Sequence, residues 1–457
     1  MADRDEYVPE SLIRALRRGV RGFDRLQPVH QSRMAYLVWI NGQSRHDHRL
    51  YEGYKTFTYQ ELDRRFGRGG FKKINKELKI FDVTPGWSKE HGATRGYKLT
   101  DNVHALKDQY LRPRRIAITR LMTMDGRAVR TLPAAISSKG LNGVTATAWR
   151  NAKVLNSIPV DIAWMKKAHA WMSRAMEGTD TSDLFVKADH DELDYRVQIL
   201  SQLLKISYTD VAGRGFIVHR YAEASTGRLY AKGVSLQTAP RVIRKAALNG
   251  LYEYDIENCH YSVFSQMSSR YGVECAAINR YLSDKQATRQ RVADAVGIHI
   301  EQAKTCLLAL MYGARQSIRP ENAIPEAIGV GKAKKLYTEP TFAAIARELL
   351  EGRAAILKAW PRRRKTILNA MCKAIALGAP AEERLAHLIQ GVEAKALRAI
   401  VDLYPDEVVL LMHDGFVAER SLDVPLMERK MFDATGYRMT ISCGVIHIPA
   451  DFDFSKV

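Results

Sequence analysis

The sequence predicts a mixed α/β (α+β) chain in which helices and short strands fall into three stretches, 1–105, 106–215 and 216–457. Three observations predict it. Before residue 105, two short helical runs around a glycine turn are followed by two strand-like runs. Residues 160–176 and 191–206 carry apolar side chains at helical spacing. From about residue 210, short apolar runs bounded by turn signals alternate with helices.

The first stretch opens on an arginine-rich arm, residues 1–30, with Arg14, Arg17, Arg18, Arg21 and Arg25, which reads as one amphipathic helix. Thr58-Tyr59-Gln60-Glu61 has capping-box spacing, so a helix is expected to start there. Gly67-Arg68-Gly69-Gly70 allows a sharp turn, a second helix covers 71–78, and residues 83–86 and 95–100 read as two strands around a basic loop. Helix, glycine turn, helix and hairpin is the outline of a winged helix-turn-helix. Lys72, Lys73, Lys76 and Lys79 crowd the second helix and point to DNA contact, against the plainer alternative of a small packing lobe. In the second stretch, residues 111–130 are basic (Arg112, Arg114, Arg115, Arg120, Arg127, Arg130) and read as a connector facing phosphate or solvent. Trp164, Trp171, Leu200 and Leu203 belong to the core of its helices.

Composition sets the class of partner. Lys and Arg total 70 against 50 Asp and Glu, a net charge of +20 and a pI near 9.7. So basic a chain suits a polyanion, because each neutralised phosphate releases a counterion, although a solvated basic surface has the same composition. Five cysteines are scattered with no CxxC pair, which argues for a reducing compartment and against a disulfide framework or a zinc site. The N-terminus lacks a signal-type apolar stretch, and no run approaches a membrane span of ~18 apolar residues. A cytoplasmic monomer without membrane contact is the expectation.

Four elements of the third stretch carry chemistry. Ser225-Thr226-Gly227-Arg228-Leu229-Tyr230 is a turn leading into a basic stretch that ends at Pro240-Arg241-Val242-Ile243-Arg244. Residues 252–258 read as an apolar strand that delivers Asp255 at its end. Lys304, Leu308 and Tyr312 fall at i, i+4 and i+8, on one face of a helix that ends at Gly313. Residues 408–412 and 416–418 are short strands around His413-Asp414-Gly415. Each alone has a plain structural reading: a strand-end acid shapes a turn, Asp-Gly is a common hairpin signal, and the helix is an ordinary amphipathic one. Together they fit phosphoryl transfer to a sugar hydroxyl, which uses two divalent ions about 3.5–4 Å apart. Two aspartates on adjacent strands can bridge such ions. Mg²⁺ suits a site with few carboxylates because phosphates and water complete its shell, and Mn²⁺ can stand in. Lys304 would face a triphosphate, Tyr312 a base, Gly313 would leave room for the templating base, and Arg228 would clamp phosphates near the growing end. The run Pro361-Arg362-Arg363-Arg364-Lys365 reads as a phosphate-facing or solvated loop.

In these motifs the chain resembles the DNA polymerase I type (family A) enzymes and the single-subunit phage and mitochondrial RNA polymerases, over roughly residues 220–457. Thr226-Gly227-Arg228 is similar to the TxxGR-type motif in its Gly-Arg core, Asp255 to motif A, Lys304 through Tyr312-Gly313 to motif B and His413-Asp414 to motif C. Ala381-Glu382-Glu383-Arg384 leading to Gln390-Gly391 resembles the helix that supplies a primer-template-contacting glutamine. The resemblance implies a right-hand polymerase with palm, fingers and a reduced thumb. It implies metal ligation by Asp255, Asp414 and the Ile256 backbone carbonyl. Lys304, Leu308, Tyr312, Gly313, His260 and His299 would bind the nucleotide, with Lys304 and Tyr312 in the catalytic set. Arg228, Arg241, Arg244, Gln390 and His413 would contact nucleic acid, together with Lys72 and Lys73. Ile300 stands where the family has an arginine one turn before the lysine, and His299 or Arg291 would have to replace it. The first 200 residues lack the acidic clusters of a proofreading exonuclease.

Sugar choice turns on the residue five places after the motif A aspartate, a glutamate in the DNA enzymes and a glycine in the RNA enzymes. Here it is His260, which could exclude a 2′-hydroxyl or donate a hydrogen bond to it. Aliphatic Leu308, small Gly415 and the tail Asp451-Phe452-Asp453-Phe454 resemble the RNA enzymes. The expectation is a phage- or mobile-element-type DNA-directed RNA polymerase or RNA-primer-making enzyme. It would act on a DNA template and nucleoside triphosphates and release an RNA or DNA strand. An exonuclease-lacking DNA polymerase is the alternative, and a non-catalytic replication initiator the third reading.

Overall fold

Two hydrophobic cores meet on opposite faces of a single four-stranded antiparallel sheet, and this arrangement organises the chain. The computed structural model describes residues 7–41, 54–84, 95–111, 121–128, 157–178, 184–219, 221–231 and 233–449. The expectations placed on Arg112, Arg114, Arg115, Arg120 and Arg130 and on the tail 451–455 lie outside the described residues.

The first core begins with β1 (Tyr7–Pro9), paired with β5 (Leu121–Thr123), and helices α1 (Glu10–Gly19) and α2 (Pro28–Ile40). The arm is therefore not one helix. Gly22 adopts φ 85°, open to glycine at little cost, and Pro28 starts α2 where its missing N–H costs nothing. On α1, Leu12, Ile13 and Leu16 are buried while Arg14, Arg17 and Arg18 are exposed, as an amphipathic face requires.

Strand β2 (Lys55–Thr56) leads to α3 (Tyr59–Phe66), whose N-cap Thr58 accepts from the Glu61 N–H at 3.1 Å. Gly67 and Gly69, at φ 77° and 71°, turn the chain into α4 (Gly70–Leu78). Then β3 (Phe81–Val83) and β4 (Gly96–Leu99) pair antiparallel, with β2 on the other edge of β4. The helix-turn-helix and hairpin follow the expected order, but β3 starts two residues earlier than the expected 83–86. The Asn75 side chain exchanges hydrogen bonds with the Phe81 N–H and carbonyl at 2.8 and 2.7 Å, and Phe81 packs with Phe57 and Phe71, which fixes that start. Next come α5 (Asp101–Leu111), β6 (Ser157–Val160), α6 (Ile162–Glu177), α7 (Leu184–Ile206), β7 (Ser207–Thr209) and β8 (Gly215–Val218), the last strand pairing with both β6 and β7. Leu200 and Leu203 are fully buried, and Trp164 and Trp171 cover the edge of the same core.

The second core is built by the C-terminal half. Strands β9 (Tyr221–Glu223) and β10 (Leu229–Ala231) form a hairpin, followed by α8 (Arg241–Ala247), which packs in the first core. Strand β11 (Tyr252–Ile256) leads directly into α9 (Cys259–Arg270). Helices α10 (Ala276–Ser283), α11 (Lys285–Val296), α12 (Ile300–Met311), α13 (Ala323–Ile328), α14 (Val330–Thr338) and α15 (Pro340–Ala359) surround it. A three-stranded ribbon of β12 (Arg362–Arg363), β13 (Thr366–Leu368) and β14 (Ala374–Ala376) precedes α16 (Ala381–Leu403). The basic run at 361–365 is thus not a plain loop: Arg362 and Arg363 form the edge strand, and Arg362, Arg363, Arg364 and Lys365 stay exposed.

Finally β15 (Val408–Leu411), β16 (Gly415–Ala418), α17 (Val424–Thr435) and β17 (Ile441–Val445) complete the sheet in the order β15-β16-β11-β17. Phe416, Ala418, Val408 and Leu411 join the second core, whereas Val417, Val409 and Leu410 join the first. Alternation along each strand sends successive side chains to opposite faces, with a register shift between Val408 and Leu410. Tyr254 of β11 stacks on Phe416 at 4.7 Å and locks the two central strands together. Among the described residues no helix is long and apolar enough to cross a membrane.

Candidate active site

The register of β11 against β16 builds the site. Asp255 lies opposite Gly415, so it sits beside Asp414 in the β15–β16 turn. The Ile256 N–H donates to the Asp414 carbonyl at 2.8 Å, fixing the turn to the strand. Gly415 answers a packing need: a Cβ there would lie 2.3 Å from the Tyr254 carbonyl oxygen. Asp255 keeps contact with solvent, yet it lies among enough protein to be partly desolvated. That burial, then the charges of Asp414, Glu253 and Glu257 against the counter-effect of Lys285, push its carboxyl up to about 7. Lys285, at the start of α11, pairs with Glu257 at 3.1 Å.

Behind the acids a buried network converges on Glu393 of α16, which has no exposed surface. Arg228 donates from Nη2 to Glu393 Oε2, and the same oxygen lies 2.7 Å from His260 Nε2. Burial works against the Arg228 charge, but Glu393 and Tyr230 outweigh it and hold the guanidinium above its ordinary pKa. Glu393 Oε1 has no hydrogen-bond partner among the described residues. The His260 ring meets Tyr312 edge to face at 5.2 Å, which ties the end of α12 to the start of α9. Burial raises the Tyr312 phenol, with Arg228 opposing and Glu393 and Asp414 adding to the rise, so these four groups share one electrostatic neighbourhood.

Helix α12 presents Lys304, Leu308 and Tyr312 to solvent on one face, as their spacing predicts. Lys304 lies 3.4 Å from Glu301, an exposed pair that holds it weakly. Gly313 takes φ 86°, and a Cβ there would meet Glu382 Cβ at 2.6 Å, so packing against α16 accounts for it. His299 caps α12, its N–H donating to Gln302 at 3.1 Å, and its side chain is exposed. His413 is exposed in the acidic turn with its ring 5.4 Å from Tyr230, and burial, then Arg228, lowers its pKa. Gln390 is half-buried on α16. Arg241 is exposed at the start of α8, while Arg244 donates to the Ala239 carbonyl at 2.7 Å. Lys72 and Lys73 are exposed on α4, in the other core's territory, and are not part of this cluster.

Arg228 is the residue whose setting differs most from its expected one. It is buried to 9% exposure and is engaged by Glu393, where a free phosphate clamp was expected. Gln237 anchors the strand that follows it, donating to the Leu229 and Leu411 carbonyls at 3.0 and 2.9 Å. Sequence reasoning missed Glu393 altogether. Its signal is an acid inside an apolar helical stripe, four residues from both Ile389 and Leu397, a position normally given to a core side chain.

Among the described residues no group of three or more His, Cys, Asp and Glu side chains could enclose a metal. A pair of adjacent carboxylates with mutual repulsion fits a hard divalent ion that keeps water and takes phosphate oxygens.

No protein-family model matches the sequence, and no curated protein matches it. Among solved structures the chain is similar to the POL domain of Pol1 from M. smegmatis in complex with DNA primer-template and dNTP. That similarity has a TM-score of 0.48 at 15% identity and covers 66% of this chain and 68% of the other.

Proposed function

We propose that the chain is a template-directed nucleotidyltransferase that joins nucleotides on a DNA template, with Asp255 and Asp414 as metal ligands. The observation that carries this reading is the β11–β16 register, which sets Asp255 beside the Asp414 turn, with Tyr312 within reach of the Asp414 charge. Two Mg²⁺ ions, when bound, would activate the attacking hydroxyl and stabilise the leaving pyrophosphate. Asp255 and Asp414 would hold them with the Ile256 carbonyl. Lys304 would meet the triphosphate on the open face of α12, and Tyr312 would bound the space for the incoming base. His260 stands where the sugar would lie.

Ribonucleotide addition is the form we favour, as a DNA-directed RNA polymerase or primer-making enzyme. Leu308, exposed and aliphatic beside Lys304, supports it. Gly415 lends it no further weight, because its close approach to β11 would demand glycine in either case. Extension on a DNA template with Mg²⁺ and either ribo- or deoxyribonucleotides tests the reading. Labelled RNA product is expected. Exclusive use of deoxyribonucleotides overturns the ribonucleotide form, and addition of neither overturns the whole reading.

Residues 216–457 would carry the chemistry, and the helix-turn-helix region within 1–105 would engage template duplex through Lys72 and Lys73. Both ammonium groups stand free of the core on α4. The double variant Lys72→Glu/Lys73→Glu should weaken DNA binding at all sequences and flatten the log–log salt dependence by about two. A titration series over salt reads this directly, and an unchanged slope would move the contact elsewhere.

A further inference from the structure

We propose that Glu393 is a positioning residue that sets the sugar discrimination of the nucleotide site by fixing the ring of His260. The inference rests on the nucleotidyltransferase reading above and adds a residue that never touches the nucleotide.

His260 is the second residue of α9 and lies five positions after Asp255, and its ring stands against Tyr312 at the end of α12. An imidazole on a helix has alternative rotamers, and only contacts choose between them. Two contacts do so here. Tyr312 meets the ring edge to face, 81° between planes, and Glu393 Oε2 lies 2.7 Å from Nε2. Arg228 Nη2 is 2.9 Å from the same Nε2 and also donates to Oε2. Since the guanidinium has no acceptor, an Nε2–H donating to Glu393 satisfies the ring while Arg228 donates alongside it.

Glu393 can act only from behind. It is fully buried on a 23-residue helix, flanked by buried Val392, Ala394, Ala396 and Leu397. A carboxylate there is costly unless paired, and Arg228 supplies the pairing. An apolar side chain would fill the same position without that cost. What the carboxylate adds is a fixed acceptor for His260. A ring so held presents one shape to the sugar and leaves only Nδ1, an acceptor, unengaged, and a ring released from Oε2 presents several arrangements.

The test compares the kcat/KM ratio for ribo- over deoxyribonucleotide, with the correct base on one primer-template, in wild type, Glu393→Asp, Glu393→Gln, His260→Ala and the His260→Ala/Glu393→Asp double variant. Aspartate keeps the charge for Arg228 but is one methylene too short to hold Nε2, so Glu393→Asp should bring the ratio at least tenfold closer to one. Glutamine keeps an acceptor oxygen of the same reach, and its ratio should stay within about threefold of wild type; a tenfold change there would show that charge, not the hydrogen bond, is responsible and overturn the proposal as stated. The double variant should match His260→Ala alone, since Glu393 acts through that ring. An unchanged ratio in Glu393→Asp, with both nucleotides slowed alike, or additive effects in the double variant, overturns the proposal while leaving the polymerase reading intact. A wild-type enzyme that adds neither nucleotide overturns that reading first. If Glu393→Asp fails to give a cooperative melt, His260→Gln replaces it: glutamine can donate to Glu393, so its ratio should then return part of the way from His260→Ala to wild type, and no return overturns the proposal.

Discussion

Asp414→Ala is expected to abolish Mg²⁺-dependent nucleotide addition, a fall of about 10³-fold or more, while the protein stays folded. A loss of that size corresponds to about 4 kcal/mol of transition-state stabilisation, in the range of a removed electrostatic element at a reacting centre. Folding should survive because Asp414 is exposed in a turn whose geometry depends on its backbone carbonyl, which alanine retains. Stability should even rise above neutral pH. Asp255 has a folded-state pKa raised from 3.8 to about 7, so its ionisation is disfavoured by the fold. An acid raised in this way adds a destabilising contribution that starts above its unfolded pKa and is fully present above its folded one. Removing the Asp414 charge relieves part of it. With metal chelated, Asp414→Ala should therefore gain stability relative to wild type at pH 8 but not at pH 4, by no more than about 1 kcal/mol given the solvent screening of an exposed pair. Melting curves at the two pH values, beside the extension assay, read both effects. Retained synthesis would remove Asp414 from the metal site, and a collapsed melt would reduce the activity loss to unfolding.

Gly415→Ala should be nearly as damaging for a different reason. The added Cβ would sit 2.3 Å from the Tyr254 carbonyl oxygen and 3.3 Å from the Asp255 Cα, both backbone atoms of β11. Backbone in the centre of a sheet cannot swing aside as a long side chain can, so β16 must shift away from β11. The expected cost is about 2 kcal/mol or more in denaturant unfolding, as for other overpacked sites. Because Asp414 precedes Gly415, the shift also moves one of the two proposed metal ligands against the other. A displacement near 1 Å costs on the order of 10²-fold in rate. Gly444→Ala on β17 is the control: a Cβ there meets nothing within 4 Å, and both stability and rate should stay close to wild type. Wild-type behaviour of Gly415→Ala would show that the two strands tolerate a wider spacing.

The contrast between these sites shows what the sequence made legible. Asp255, Asp414 and the face formed by Lys304, Leu308 and Tyr312 follow from local rules: an acid after an apolar run, an acid in a tight turn, and a spacing of four on a helix. The structure sets those elements in the expected strands and helix. Glu393 was not legible in this way. Its partners Arg228 and His260 lie 165 and 133 residues away, and no local rule pairs an acid on one helix with residues that distant. Gly313 and Gly415 were visible as glycines, but the side chain and backbone that crowd them come from other elements. The break between α1 and α2 was written in Gly22 and Pro28 and was overridden by the run of arginines. Charge marked the exposed face of that arm and said nothing of its continuity.

The sheet that carries the two acids shares its β15–β16 half with the first core. Val409, Leu410 and Val417 belong to the same apolar mass as Leu12, Phe71 and Leu203, and Ile446 and Ile448 beyond β17 join them. The N-terminal half is consequently not a cartridge that can be unplugged from the C-terminal half. Cutting the chain near residue 216 would leave an apolar wall bare directly behind the acidic turn, and grafting a foreign N-terminal half would demand new side chains at those five positions.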